Sequence, residues 1–326
     1  MSGRTEKEAL ARKRIESKLK KMPDIFTAYY NWLDVKEKTY NTMERYIDQA
    51  VEFMLFFTNG KNSSEFYTKV TDDDIERYLV HIRRKEVDGK VVEVGDSIRA
   101  TKWSALNTFF GFLVKKKYIE NNPVAMTERP KIKTKNAVTY MTQDEIKSVF
   151  DRITNESPVK LKNRDVCIVA LGLSTGLRVS AMVNIDVEDI DFHTNTIKVV
   201  EKGRKTRSIP FADNLRNLIL VWLKDREMYY GGKPNSGPLF ISRKKQRISV
   251  DSVQEMIAKY TNHLPKHITP HKLRSSAAMN LYSSGVGILT IASILGHENV
   301  TTTQRYTSAF DQEKENAVSV LDKIIE

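Results

Sequence analysis

Two arginines, two histidines, a lysine and a tyrosine stand at spacings that suit chemistry on an anionic substrate. Arg178 lies in STGLRVS, after a turn at Gly176 and at the start of a predicted helix. His271 and Arg274 are three apart in HKLR, on one helical face. His297 closes LGH, and Tyr306 follows nine residues later in the Thr-rich TTTQRYT. Lys202 occupies the turn of KGRKTR, beside Lys205, where a long side chain can reach away from a sheet. Guanidiniums grip phosphate oxygens in pairs and stay charged at any working pH. A phenol can attack phosphorus and hold it covalently, while imidazole and ammonium groups move protons. Such a set suits phosphoryl transfer that relies on positioning and fixed positive charge.

Other chemistries lack their patterns. There is no GxxxxGKS/T loop, so nucleotide hydrolysis is not expected. No CxxC, HExxH or carboxylate cluster has metal-ligand spacing, and neither metal nor cofactor is expected. His263, His267 and His271 recur every four residues, but Pro265 and Pro270 break the helix that would align them.

Taken in chain order, TGLRxS, KGxKxR, HxLR, LGH and a tyrosine after a Thr-rich turn resemble the tyrosine recombinases and phage integrases, and the likeness spans nearly the whole chain. The resemblance implies a site-specific recombinase that cuts and rejoins DNA. Arg178 and Arg274 would clamp the nonbridging oxygens, and Tyr306 would attack to form a 3′-phosphotyrosine. Lys202 would protonate the leaving 5′ oxygen, with Lys205 the competing candidate. His271 would take the tyrosine proton, and His297 would hydrogen-bond a phosphate oxygen. A homotetramer would assemble on a pair of DNA sites and exchange strands through a Holliday junction. One position departs from the family: an acid usually stands three residues after the first arginine, and here it is Ala181. Asp186 and Glu188 are the nearby acids that could brace the catalytic side chains instead. The rivals are a type IB topoisomerase-like enzyme and a DNA-binding protein weakened in catalysis. Among recombinases, the resemblance admits the integrase or transposase of a mobile element and a resolvase of the Xer type.

The elements that must hold these residues read as mainly α with a small antiparallel β-sheet, in two domains that clamp duplex DNA. Residues 1–23 read as a basic N-terminal extension, with a solvated helix over 4–21 that ends before Pro23. Residues 24–127 read as a helical core-binding domain. There Met43, Tyr46, Ile47, Ala50, Met54 and Phe57 line one helical face. Asp72 to Asp74 start a second helix, Asp88-Gly89 marks a turn, and Ser97 caps a third helix. Residues 128–138, ERPKIKTKNAV, form a basic linker. Residues 139–326 read as the catalytic domain, opened by a capping box of Thr142 and Glu145. Helices over 164–174 and 178–184 precede a hairpin of Thr196 to Val200 and Thr206 to Phe211. Helices over 213–228, 250–262, 271–284 and 288–295, and one from 312, complete the domain.

Composition fits this reading. Lys and Arg total 53 against 41 Asp and Glu, a net charge of +12 that favours a polyanionic partner, here double-stranded DNA. Lys102, Lys131, Lys133, Lys135 and Lys205 are further candidates for DNA contact. No apolar run reaches the roughly 18 residues of a membrane helix, and the N-terminus lacks a secretory pattern. The lone Cys167 excludes an internal disulfide, and it reads as a small buried hydrophobe in a reducing, cytoplasmic setting. No membrane or small-molecule partner is expected.

Overall fold

A computed structural model of the chain describes residues 3–87, 89–132, 138–200, 206–231 and 236–296. These fall into two compact units, Met1–Lys135 and Asn136–Glu326.

The first unit is built from helices α1 (Gly3–Leu19), α2 (Asp24–Val35), α3 (Tyr40–Phe57), α4 (Asp72–His81) and α5 (Asp96–Lys115). A hairpin of β1 (Arg84–Val87) and β2 (Lys90–Glu93) joins α4 to α5. Its core is aromatic: Phe26, Tyr29, Phe53, Tyr78, Phe109, Phe110 and Phe112 are buried, and Phe53 meets Tyr78 edge-on at 5.2 Å. The first helix differs from the solvated element expected of it. Ala11, Ile15 and Leu19 recur every four residues and are buried, while Arg14 and Lys18 pair with Glu44 and Asp48 of α3. One cap shifts. Helix α4 starts at Asp72 as expected, with Thr71 as its cap and Asp74 completing the capping box, but α5 starts after Gly95, which leaves Ser97 inside the helix.

The second unit runs α6 (Gln143–Glu156), α7 (Val159–Thr175), α8 (Val179–Met182), β3 (Ile190–Asp191), β4 (Thr196–Val200), β5 (Thr206–Pro210), α9 (Asp213–Tyr230), α10 (Val250–Thr261), α11 (Pro270–Ser283) and α12 (Ile288–Leu295). The capping box of Thr142 and Glu145 starts α6 as expected. The strands form one antiparallel sheet in the order β3-β4-β5, with Ile197 opposite Ile209 and Val199 opposite Arg207. β3, two residues long, has no sequence signature of its own.

Helix α7 is the centre of this unit and packs against α6, α9 and α11. Its buried residues include Cys167, whose thiol is pushed up in pKa by burial, as suits an inert core side chain. Arg164 and Asp165 are buried side by side and fully engaged. Arg164 Nη2 donates to Asp165 Oδ1 at 2.7 Å and Nη1 to the Ile241 carbonyl at 3.1 Å, and the Tyr260 hydroxyl of α10 donates to Asp165 Oδ2 at 3.3 Å. The start of the unit is tied to its far end: the Met141 amide donates to Ser276 Oγ of α11 at 2.8 Å. Among the described residues, no helix is long and apolar enough to cross a membrane.

Candidate active site

The turn ahead of Arg178 begins where α7 stops. Gly176 caps that helix with φ +61, a left-handed conformation that glycine adopts without the cost a Cβ brings. A Cβ at this position would lie 2.3 Å from Leu295 Cδ2. Leu177 is buried beside it, and Arg178, exposed, takes the N-cap position of α8.

Pro270 opens α11 at a position where a missing N–H costs the helix nothing. His271 follows in the first turn and is exposed. Arg274, one turn later, keeps only 1% of its surface. Its Nη1 donates to the Gly176 carbonyl at 2.8 Å, and its Nη2 donates to the Leu295 carbonyl at 2.7 Å. Leu295 is the last residue of α12, Gly296 caps that helix with φ +66, and His297 is next in the chain. One buried guanidinium therefore bridges the turn before Arg178 and the helix end before His297. A buried cation with carbonyl acceptors on two sides is both stabilised and held in one orientation.

The acids near Ala181 are engaged elsewhere. Both oxygens of Glu188 accept from the Gly237 amide at 3.0 Å, and main-chain donors, its own amide and that of Gly237, hold this carboxyl below the usual range. Asp186 pairs with Arg247, whose Nη1 also donates to the Val183 carbonyl at 3.0 Å. Ala181 itself is half-buried against the unit's core. The expectation that Asp186 or Glu188 braces the site is thus replaced. Among the described residues, the bracing of Arg274 comes from main-chain carbonyls.

Of the other candidates, Lys102 is on α5, paired with Glu52, and Lys131 is exposed after the first unit's last helix. His263 follows α10 and lies 2.9 Å from Ser148 Oγ, so His263 and His271 belong to different elements. Lys202, Lys205, His297, Tyr306, Lys133 and Lys135 lie outside the described residues, as does the helix expected from 312. Sequence reasoning gave no role to Arg207, the last residue of KGxKxR. It lies two positions from the buried Ile209, on the same face of β5, and that period-two pattern is the signal that it points inward.

The profile of the Phage integrase family matches residues 139–313. The tyrosine recombinase XerC of Caldanaerobacter subterraneus subsp. tengcongensis is 32% identical over 315 residues, covering 92% of this chain and 87% of its own length. XerC of Psychromonas ingrahamii is 35% identical over 268 residues, covering 82% and 85%. Among solved structures, the XerH site-specific recombinase bound to a palindromic difH substrate superposes with a TM-score of 0.67 at 20% identity, over 88% of this chain and 82% of that one. The Tn1549 transposon integrase in complex with transposon right end DNA gives 0.67 at 17%, over 90% and 98%. These two structures share the fold.

Proposed function

Because the chain belongs to the phage integrase family, a family of tyrosine recombinase enzymes, we propose that it cleaves and rejoins double-stranded DNA at a specific site through a phosphotyrosine at Tyr306. The Tyr306 oxygen attacks the scissile phosphorus, the bond to the 5′ oxygen breaks, and the protein is left joined to the 3′ phosphate. His271 takes the phenol proton and Lys202 supplies one to the leaving oxygen. Arg178 and Arg274 hold the nonbridging oxygens as negative charge builds, and His297 adds a hydrogen bond. Attack by the 5′ hydroxyl of a partner strand reverses the step and joins the strands. A homotetramer on two sites, passing through a Holliday junction, organises the exchange.

The observation that carries this reading is the Arg274 bridge. It joins the turn of STGLRVS, the helix of HKLR and the end of the LGH helix at one buried side chain. That three of the motif stretches meet at one side chain supports reading them as parts of a single site. A duplex nicked next to the cleavage point tests the proposal, because release of a short strand traps the covalent complex. Wild-type protein should accumulate the adduct, and Tyr306→Phe should bind the DNA without forming it. An adduct of undiminished yield from Tyr306→Phe refutes the assignment.

Two biological settings use this chemistry. Ala181, in place of the family's acid, favours the integrase or transposase of a mobile element. The likeness to XerC proteins along most of the chain favours a Xer-type resolvase. Plasmids carrying paired copies of the repeats that flank the gene, or of the host's dimer-resolution site, separate the two by which pair recombines.

A further inference from the structure

Two guanidiniums grip the C-terminal end of α12. Arg274 takes the Leu295 carbonyl, and Arg207 takes the two before it: its Nη1 donates to Ser293 O at 3.0 Å and to Ile294 O at 2.6 Å. The last carbonyls of a helix have no partner within the helix and carry the negative end of its dipole, so cationic donors match them. Helix α12 is 8 residues long and buries Ile291, Ala292 and Leu295. A helix this short is not stable alone and takes its position from outside contacts. Arg207 also has a fixed origin. It stands opposite Val199 in the β4–β5 ladder, and in the sequence it ends the KGRKTR stretch that contains Lys202.

We propose that Arg207 is a positioning residue for strand cleavage, one that fixes the end of α12, which His297 follows by two residues in the sequence, against the β4–β5 sheet. The inference rests on the role given above to His297. Arg274 ties α12 to the Arg178 turn, and Arg207 ties it to the sheet. Two anchors on different elements fix the end of α12, where one anchor would leave it free to pivot. Misplacing a group that contacts the transition state by about 1 Å is enough to slow a reaction by about 100-fold.

The test is a double-mutant cycle on a nicked duplex with protein in excess. Arg207→Ala should cleave up to about 100-fold more slowly, with DNA affinity within about threefold of wild type and a similar melting curve. Arg207→Lys, which keeps a cationic donor for the same carbonyls, should recover part of the rate. Once His297→Ala has removed the positioned group, adding Arg207→Ala should cost no more than about threefold. A full, multiplicative loss in the double variant overturns the proposal and leaves the role of His297 intact. Parallel losses of binding and cleavage in Arg207→Ala overturn it as well, because they mark a simple DNA contact. Wild-type cleavage by His297→Ala overturns the reading of that histidine, and the proposal with it. If Arg207→Ala melts early, Arg207→Lys takes its place in the cycle, and additivity there is equally fatal.

Discussion

Arg274 and Gly176 are 98 positions apart, yet the arginine's Nη1 donates to the glycine's carbonyl at 2.8 Å. The acceptor is available because the left-handed Gly176 ends α7, and the donor is rigid because Leu295 holds the same guanidinium from another side. Under the role proposed above, a side chain pinned in this way needs no ordering before it meets a phosphate. That is the form of preorganisation which makes fixed charge effective in catalysis.

The two arginines should therefore fail differently when changed to lysine. Arg274→Lys gives up at least one of two charge-assisted bonds, each contributing about 1.5–3 kcal/mol, and should lower unfolding stability by about that amount. Arg178 is exposed, so Arg178→Lys should leave stability within about 0.5 kcal/mol. Both variants lose the bidentate fork, and cleavage should fall by about 100-fold or more while binding falls modestly. Urea denaturation and cleavage at saturating DNA check this. Unchanged stability in Arg274→Lys counts against the structural half, and parallel losses of binding and cleavage count against the transition-state half.

Gly176→Ala should be costly for two separable reasons. It forces a side chain into φ +61 and places a methyl 2.3 Å from Leu295 Cδ2. Together these should destabilise the second unit by about 2–5 kcal/mol. Adding Leu295→Ala relieves the overlap but not the backbone strain, so the double variant should be more stable than the sum of the single losses. Strict additivity of the measured unfolding free energies would show that the two side chains never compete for the space.

Replacing the 5′ bridging oxygen of DNA with sulfur gives a leaving group that needs no proton. Lys202→Ala should cleave ordinary DNA poorly and this substrate well. Arg178→Ala should gain far less, because its defect lies in charge stabilisation. Selective rescue of Lys205→Ala instead would transfer the role of general acid to Lys205.

Glu145 links the second unit's stability to pH. Burial raises its pKa, but the Lys266 ammonium at 2.8 Å and the Thr142 capping bonds outweigh burial and hold the carboxyl below the ordinary range. Its folded pKa lies below its unfolded one, so the stabilisation is complete above the ordinary value of about 4.3 and fades as pH falls through the depressed value. Glu145→Gln should cost about 0.5–1 kcal/mol at pH 7, and the gap to wild type should close on acidification. A gap that stays constant from pH 7 to the acid limit of folding would remove the carboxylate from the account. Melting temperatures across the pH series give the answer.

Sequence reasoning succeeded where structure is decided locally. The Thr142–Glu145 box and the Gly176 turn depend on residues within a few positions of one another, and the β4–β5 pairing joins strands that follow one another in the chain. It failed where a neighbour decides. The stripe of Ala11, Ile15 and Leu19 is too narrow to announce burial until α3 covers it. Helix α2 passed unnoticed because DIFTAYYNWLDV is rich in aromatic residues that favour strands as readily as helices. The cap of α4 went unnamed: the Thr71 hydroxyl meets the Asp74 amide while Asp74 answers back. The motif spacings singled out Arg178, His271 and Arg274. They could not show that Arg274 is buried and Arg178 exposed, since that contrast arises when α7, α11 and α12 come together.

The bond between the Met141 amide and Ser276 Oγ bears on how the protein is born. Its two ends are 135 positions apart. A ribosome releases the first unit early, with its aromatic core complete before Lys135. The second unit opens with an amide whose partner has yet to be synthesised, and the face of α7 that meets α11 waits uncovered until α11 emerges. An arrested chain that ends before Pro270 should accordingly resist protease in its first unit and be digested in its second. It also lacks Arg274 and the end of α12, so a half-made copy carries none of the contacts that join the Arg178 turn to α11 and α12.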